Sequence, residues 1–213
     1  MVSVLAATRS KGKAAELRRL LEPAGIPLIF PEEAGLWESP LEERLEVAET
    51  FEGNARRKAE YFARLSGRPT VADDSGLEVF SLGGAPGVRS RRWAGAEGTA
   101  EQVDAANNAE LLRRLRGAPE ARRRARYRCV LVYLPQPDAV PQVFEGVCGG
   151  RILEEPRGSR GFGYDPLFFS DELGRSFGEA GPEEKDAVSH RGRAVRALAE
   201  ALGATLPGAS GGR

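Results

Sequence analysis

Short apolar segments alternate with segments of helical periodicity along the first half of the chain. Residues 2–8 (VSVLAAT) are apolar and partly β-branched, which predicts a short buried strand. The segment 14–25 carries three leucines at helical spacing and ends at a proline and a glycine, so it predicts a helix. Residues 27–30 (PLIF) predict the next strand. The order strand, helix, strand indicates the α/β class.

Two further helices are predicted downstream. The first runs from about residue 53 to residue 66 and places three apolar side chains on one face, namely Ala55, Ala59 and Phe62. The second begins at a capping box formed by Thr99 and Gln102 and runs to about Arg116. Both patterns are typical of helices that pack one face against a sheet.

The second half of the chain begins with a predicted hairpin. Residues 125–134 alternate and are rich in β-forming side chains, and after a proline-containing break residues 142–149 return as a second strand. A short strand is predicted at 167–169, and an amphipathic helix from Ser189 to Gly203. Because a hairpin follows the βαβ units, we predict an α/β fold with a mixed sheet.

The length of 213 residues allows one compact domain with a sizeable core. We predict a single bilobed domain over residues 1–206 and a disordered tail over residues 207–213 (PGASGGR).

Composition argues against several classes of protein. The 31 basic and 31 acidic residues cancel, whereas a general nucleic-acid binder is normally basic, so no nucleic-acid partner is expected. No apolar run approaches the roughly 18–20 residues that span a bilayer, so no membrane association is expected. Two cysteines, Cys129 and Cys148, are too few for a metal cluster and predict reduced thiols in the cytoplasm.

A cationic turn, RSKGK at residues 9–13, follows the first predicted strand. The start of a helix attracts anions through its free amide groups and its dipole. Cations at that end oppose the dipole unless an anion is bound, so the turn is a candidate phosphate site. It is not a P-loop, because Ala14 replaces the Ser or Thr and Ala7 replaces the first glycine. A solvated cationic helix start is the alternative interpretation.

Two adjacent carboxylates, Asp73 and Asp74, follow the predicted strand 70–72 and are expected at its carboxyl end, where open α/β sheets bind ligands. They suit Mg²⁺, which takes one or two acidic ligands together with substrate phosphates. One of them could instead be a base that activates water. A turn or helix-cap pair is the alternative. Further acids that could complete a metal site are Glu43, Glu46, Glu49 and Glu52.

The loop GFGYDP at residues 161–166 offers a flat aromatic side chain, a flexible backbone and a carboxylate, as a nucleobase pocket needs; alone it is also consistent with a simple turn. His190 is the single histidine, and a lone histidine is more often structural than catalytic. Ser75 lies in Asp-Ser-Gly, which is not a nucleophile elbow and disfavours a serine hydrolase. The basic run at residues 121–128 is interpreted as solvated arginines at the exposed start of a strand.

Six segments along nearly the whole chain form one ordered pattern: ATRSKGKAAEL (7–17), TFEGNARRKA (50–59), ADDSGLEVFSLGGAPGVRSRRWAG (72–95), CVLVYL (129–134), GFGYDPLFF (161–169) and EEKDAVSHRGRA (183–194). In order and spacing they closely resemble the ITP/XTP pyrophosphatases, also called dITP/XTP diphosphatases or non-standard purine NTP pyrophosphatases. The resemblance implies two α/β lobes around an elongated mixed sheet with a central nucleotide cleft. It also implies a cytoplasmic homodimer that is Mg²⁺-dependent and hydrolyses ITP, dITP or XTP to the monophosphate and pyrophosphate.

The resemblance also implies roles for particular residues around the phosphates. Asp74 would be the catalytic acid/base and a metal ligand, with Asp73 as its neighbour. Glu46 would be the second metal ligand, with Glu43 as the alternative. Asn54 and Lys58 would lie beside the phosphates, and Ser75 would contact the substrate. The residues that would hold the triphosphate are Thr8, Arg9, Ser10, Lys11, Gly12 and Lys13.

A second set of residues would enclose the purine, and Lys185, Arg191 or backbone amides of the loop would distinguish a 6-oxo from a 6-amino group. This set consists of Phe162, Gly163, Tyr164, Asp165, Lys185, His190 and Arg191.

The chain departs from the family pattern in the cationic turn. The family usually has T-G-N-x-G-K, whereas Arg9 and Ser10 stand here in place of Gly and Asn. Arg9 should cost stability if that position needs a positive φ. Two other functions stay open: a pyrophosphatase of the related fold acting on pyrimidine or modified nucleotides, and a non-catalytic nucleotide sensor. The paired Asp73 and Asp74 argue against the sensor.

Overall fold

A computed structural model of the chain describes residues 3–204, so the predicted tail at 207–213 lies outside the described residues. The strands are β1 (Val4–Ala6), β2 (Leu28–Ile29), β3 (Thr70–Val79), β4 (Arg124–Leu134), β5 (Gln142–Ile152), β6 (Phe168–Ser170) and β7 (Arg175–Ser176). The α-helices are α1 (Lys11–Leu21), α2 (Phe51–Ser66), α3 (Ala100–Arg114), α4 (Pro182–Val188) and α5 (His190–Ala201). Within residues 3–204, no helix has the length and apolar character needed to cross a membrane.

The seven strands form one mixed sheet in the order β2-β1-β3-β4-β5-β6-β7. β1 pairs in parallel with β2 and with β3, and Leu5 lies opposite Thr70 in the second pairing. β5 pairs antiparallel with β6, and β6 pairs antiparallel with β7. The α/β class and the mixed sheet flanked by helices are therefore confirmed.

The chain divides into two compact units. Unit 1 comprises the described parts of 1–74, 129–146 and 191–213, and unit 2 comprises 75–128 and 147–190. The boundaries fall inside β3, β4 and β5 and after the first residue of α5.

Unit 1 contains two hydrophobic cores, and neighbouring residues of β3 belong to different ones. Val71 packs in a core with side chains of α1, β4 and α5, among them Leu17, Leu131 and Val195. Ala72 packs in a core with the predicted apolar face of α2, namely Ala55, Ala59 and Phe62. Successive residues of a strand point to opposite faces of the sheet. The same alternation therefore directs Asp73 towards α1 and α5, and Asp74 towards α2.

Unit 2 has one core that is rich in aromatic side chains. The ring of Tyr127 on β4 lies 4.7 Å from that of Phe168 on β6, and Phe168 lies 5.0 Å from Phe177. Leu77 of β3 and Leu111 of α3 pack against them. The capping box predicted at Thr99 is present and begins α3.

The prediction that a strand ends before Asp73 is wrong. β3 continues without interruption from Thr70 to Val79, so Asp73 and Asp74 lie inside a strand and not at its carboxyl end. Two adjacent acids are tolerated there because cations and polar groups surround them, as described below. The sequence also missed β7 and α4, which are too short to show a period.

Candidate active site

Asp73 lies among cations. Lys13 Nζ is 3.0 Å from Asp73 Oδ2, and Arg191 Nη2 is 3.1 Å from the same oxygen. Burial by itself would raise the pKa of Asp73, but Lys13, Arg191 and Lys58 together hold it well below its usual range. Asp73 is therefore ionised at neutral pH and acts as a counter-ion for these cations.

Helix α1 supplies two members of this charge cluster. Ser10 caps the helix, and its Oγ accepts a hydrogen bond of 3.4 Å from the backbone N–H of Lys13. One turn later, Glu16 is buried on the apolar face and accepts a hydrogen bond from Arg191 of α5. Sequence reasoning missed Glu16, although its helical spacing from Leu20 placed a charge on the apolar face. Glu16, Arg191, Asp73 and Lys13 alternate in sign, so the buried charges compensate one another.

Asp74, on the other face of β3, lies in an environment that favours its protonated form. Asn54 Nδ2 donates to Asp74 Oδ2 at 2.9 Å, and Lys58 Nζ lies 3.7 Å from Oδ1. Burial, with the nearby charge of Glu46, outweighs the cations and raises the pKa of Asp74. A carboxylate that takes up a proton more readily than usual is suited to accept one from water.

Lys58 holds the acidic residues of this face together. Its Nζ donates to Glu46 Oε1 at 2.6 Å and to the backbone carbonyl of Asp73 at 2.7 Å. Burial lowers the pKa of Lys58, but the carboxylates of Glu46, Asp74 and Asp73 outweigh burial and raise it to about 12. Lys58 is therefore charged at neutral pH and links β3 to the segment before α2.

The donor set fits a divalent cation that is shared with a substrate. Among residues 3–204 no three His, Cys, Asp or Glu side chains come together as a ready metal cluster. Glu46 and Asp74, however, both approach Lys58, and Mg²⁺ commonly uses one or two carboxylates and completes its shell with water and phosphate. Glu43 is exposed on the 3₁₀ turn Pro40–Arg44, which favours Glu46 as the second ligand.

The two aspartates should respond in opposite ways to substitution. Asp73→Asn leaves Lys13 and Arg191 short of a counter-charge, so we expect the free energy of unfolding at pH 7 to fall by about 3–5 kcal/mol. Asp74→Asn removes a charge that burial disfavours and should leave that free energy unchanged or raise it. Because the fold lowers the pKa of Asp73, its contribution is lost as the pH falls, so the deficit of Asp73→Asn should shrink in acid. Urea titrations check both variants, and equal destabilisation would contradict the assignment.

The loop that was predicted to enclose a base converges on Lys185. Lys185 Nζ lies 2.5 Å from Asp165 Oδ2, 4.9 Å from the ring centre of Phe162 and 5.4 Å from that of Phe177. Asp165 Oδ2 also accepts a hydrogen bond of 2.9 Å from the backbone N–H of Phe162. The structure therefore brings Phe162, Asp165 and Lys185 together, as the sequence predicted.

Helix α3 fixes the backbone of this loop through residues that sequence reasoning missed. Asp104 Oδ2 accepts a hydrogen bond of 2.7 Å from Gly163 N, and Asn108 Nδ2 donates to Gly163 O at 3.0 Å. Both polar groups of the Gly163 backbone are thus engaged by side chains. This weakens the alternative that Gly163 reads the base through its own backbone and leaves Lys185 as the stronger candidate.

Two other residues predicted around the base are packed inside unit 2. The ring of His190 stacks on Tyr127 with a centroid distance of 4.6 Å and an angle of 7°. The hydroxyl of Tyr164 donates to the backbone carbonyl of Ser90 at 2.9 Å. Both residues are nearly completely buried, so each supports the local core whatever it contributes to binding.

Arg191 occupies a different environment from the one expected of a base reader. Its guanidinium donates to Asp73 and Glu16, and only 1% of the residue is exposed. Its charge therefore pairs with carboxylates of the charge cluster in unit 1. Arg191 therefore holds Asp73, and its contact with the 6-oxo group stays a prediction.

The side chains of the cationic turn contact different partners. Lys13 contacts Asp73, whereas the guanidinium of Arg9 contacts Glu32 and Glu42, and Lys11 is exposed. Thr8 Oγ1 accepts a hydrogen bond from Ser10 N at 3.2 Å. The expected strain at Arg9 does not arise, because Asp138 is the single non-glycine residue with positive φ in the described part of the chain.

The chain matches known proteins along nearly its whole length. The model of the Ham1 family matches residues 4–201. A dITP/XTP pyrophosphatase from Thermus thermophilus is 46% identical, with 94% of this chain and 91% of the relative covered. A dITP/XTP pyrophosphatase from Escherichia coli O157:H7 is 42% identical, with 95% and 98% covered. The solved HAM1 protein from Coxiella burnetii has a TM-score of 0.81 at 37% identity, covering 95% of this chain and 99% of that one.

Proposed function

This chain belongs to the Ham1 family, and from that premise we propose that it hydrolyses non-standard purine nucleoside triphosphates, such as ITP, dITP and XTP, to the monophosphate and pyrophosphate. The observation that carries the proposal is the arrangement of two neighbouring carboxylates. Lys13 and Arg191 contact Asp73, whereas Asn54 and Lys58 contact Asp74 on the other face of β3. The opposite directions of their pKa shifts agree with a counter-ion at Asp73 and a proton acceptor at Asp74. The names of the relatives from Thermus and Escherichia point to the same substrates.

In the proposed reaction, Asp74 positions a water molecule and removes its proton. The water oxygen forms a bond to the α-phosphorus, and the bond from that phosphorus to the oxygen bridging to the β-phosphate breaks. Pyrophosphate departs with the electron pair of that bond, and Asp74 keeps the proton. Asn54 and Lys58 hold Asp74 in place through the contacts described above. Because phosphoryl transfer is accelerated mainly by positioning and charge stabilisation, this orientation is the main contribution of α2.

Cations of α1 and its turn would bind the triphosphate. Lys13 is the main candidate, since its ammonium group, paired with Asp73, stands at the start of a helix that favours anions. Asp74 and Glu46 would hold the divalent cation, which we propose is Mg²⁺. When bound, the cation would neutralise charge that develops on the departing pyrophosphate.

Base selection is assigned to Lys185 and Phe162. The Lys185 ammonium can donate a hydrogen bond to a 6-oxo group but meets another donor when adenine carries a 6-amino group. Phe162 offers a ring on which any base can stack. Asp165 holds Lys185 in place through the 2.5 Å contact.

We also propose that the chain forms a homodimer in the cytoplasm, as the family resemblance implies. Size-exclusion chromatography with light scattering tests the dimer directly.

A substrate panel tests the proposed function. Pyrophosphate release is measured from ITP, dITP, XTP, ATP, GTP, dTTP and UTP, with and without Mg²⁺. Preferential release from ITP, dITP and XTP that requires Mg²⁺ is the expected result. Release mainly from dTTP or UTP would indicate the pyrimidine alternative, and binding without release would indicate a sensor.

Lys13→Ala should raise KM for ITP and weaken inhibition by pyrophosphate, because a positive charge at the phosphate site is lost. Lys13→Arg keeps the charge and should retain most of the binding. The control is Arg18→Ala, which removes an exposed cation of the same helix. If KM and the inhibition constant of Lys13→Ala equal those of the wild type, the phosphates bind elsewhere.

A further inference from the structure

The segment between β2 and α2 carries Glu46 but buries little of itself. No residue from 32 to 50 is buried, and large apolar side chains of this segment, Trp37, Leu41 and Val47, are exposed. Ala34, Leu36 and Leu45 pack against the core that contains the apolar face of α2. The remaining attachments of the segment are polar, so these contacts help to set the position of Glu46.

Arg9 makes the most extensive of these contacts. Its Nε donates to Glu42 Oε2 at 3.0 Å and its Nη2 donates to Glu42 Oε1 at 2.7 Å, so the pairing is bidentate. Its Nη1 donates to Glu32 Oε1 at 2.8 Å. The guanidinium also lies 5.7 Å from the ring centre of Phe62 on α2. One side chain of the cationic turn thus joins two points of the segment to α2.

Glu42 transmits this attachment to Glu46. Glu42 belongs to the 3₁₀ turn Pro40–Arg44, and its Oε1 also accepts a hydrogen bond of 3.2 Å from Ser39 N. The backbone N–H of Leu45 donates to the carbonyl of Glu42 at 3.0 Å, and Glu46 is the next residue. Beyond Glu46, the backbone N–H of Ala48 donates to Asn54 Oδ1 at 2.8 Å. Glu46 therefore stands between two attachments of the segment.

We propose that Arg9 is a positioning residue that fastens this segment through Glu42 and thereby holds Glu46 beside Lys58 and Asp74. The guanidinium points to Glu32 and Glu42 of the segment, so Arg9 acts on the proposed metal site through that segment. The kinetic part of the inference rests on the proposed function.

The first experiment needs no metal or substrate. Arg44 is exposed within the 3₁₀ turn, so limited trypsin digestion in metal-free buffer reports on the segment. Cleavage after Arg44 should be faster in Arg9→Gly and in Glu42→Gln than in the wild type. The double variant should be no faster than Arg9→Gly, because that substitution already removes the contact with Glu42. Arg9→Lys, which cannot pair bidentately, should be intermediate.

The second experiment measures the metal dependence of ITP hydrolysis. In Arg9→Gly and Glu42→Gln, the Mg²⁺ concentration for half-maximal activity should rise on the order of fivefold, the scale of coupling between contacting residues. KM for ITP at saturating Mg²⁺ should not change. The matched control is Arg18→Ala, since Arg18 also pairs with a glutamate of the segment, Glu33, and lies over Phe30. It should leave the metal dependence and the cleavage after Arg44 unchanged.

Two results would overturn the inference. A rise in KM for ITP in Arg9→Gly but not in Glu42→Gln would make Arg9 a direct phosphate ligand. Unchanged cleavage after Arg44 would show that Arg9 does not fasten the segment. If the wild type hydrolyses no ITP, the proposed function fails, while the digestion still decides whether Arg9 positions the segment.

Discussion

Asp74→Asn should lower kcat for ITP hydrolysis by at least about a hundredfold, the lower end of what general acid–base catalysis contributes. The substitution keeps the shape of the side chain but removes the proton acceptor and one charge of the proposed metal site. Asn54 and Lys58 remain to hold the new amide, so the fold should be intact. Pyrophosphate release under saturating ITP and Mg²⁺ measures the loss.

A control separates this effect from a general loss of negative charge. Asp138→Asn changes an aspartate that is exposed and paired with Arg64, and it should leave kcat unchanged. Circular dichroism and urea titration check the fold of both variants. Turnover of Asp74→Asn near that of the wild type would refute the role of Asp74.

The same assignment fixes the sign of the pH dependence. The pKa of Asp74 is raised above its ordinary value of 3.8, so the base becomes protonated at a higher pH than a free aspartate would. In the metal-free protein Asp74 should therefore take up a proton at a higher pH than Asp73, which stays ionised.

Lys185→Ala should abolish the preference for ITP over ATP, which is the second large effect expected. A site built to hydrogen-bond a 6-oxo group discriminates because the wrong base leaves a buried donor unpaired, so removing the donor should cost ITP about a hundredfold or more in kcat/KM. The value of kcat/KM for ATP should change little. The ratio of kcat/KM for the two substrates measures the change.

Two comparisons make this result specific. Phe162→Ala removes a stacking surface that is blind to the identity of the base, so it should lower kcat/KM for ITP and ATP alike and preserve their ratio. Because Lys185→Ala leaves Asp165 buried without its cation, the double variant with Asp165→Asn guards against local unfolding. A preserved ratio in both Lys185 variants would assign base reading to other groups. Arg191→Ala should lower kcat/KM for ITP and for ATP together, since Arg191 holds Asp73.

The sequence predicted those elements whose patterns are long or chemically distinctive. The spacing of Ala55, Ala59 and Phe62 identified the buried face of α2, and Thr99 with Gln102 marked the start of α3. β1 was also predicted from its apolar run, and the long strands of the hairpin from their alternation and β-forming side chains.

The errors have a common physical cause, which is that tertiary contacts compensate for locally unfavourable residues. A strand was expected to end before Asp73, because nothing nearby in the sequence shows that Lys13 and Arg191 neutralise it. Asp104 and Asn108 escaped notice because their partner, Gly163, lies more than fifty residues away on the chain.

Because side chains alternate between the two faces of β3, the number of residues in this strand is more constrained than the identities of its apolar residues. Asp73 faces α1 and α5, and Asp74 faces α2, because adjacent residues of a strand point to opposite sides. One residue inserted or deleted between Thr70 and Asp73 would exchange these directions. An insertion would move Asp73 to the position that faces Asn54 and Lys58. A deletion would move Asp74 to the position that faces Lys13 and Arg191, which would keep it ionised. Single-residue insertions and deletions here should therefore be tolerated far less than substitutions of the neighbouring apolar residues.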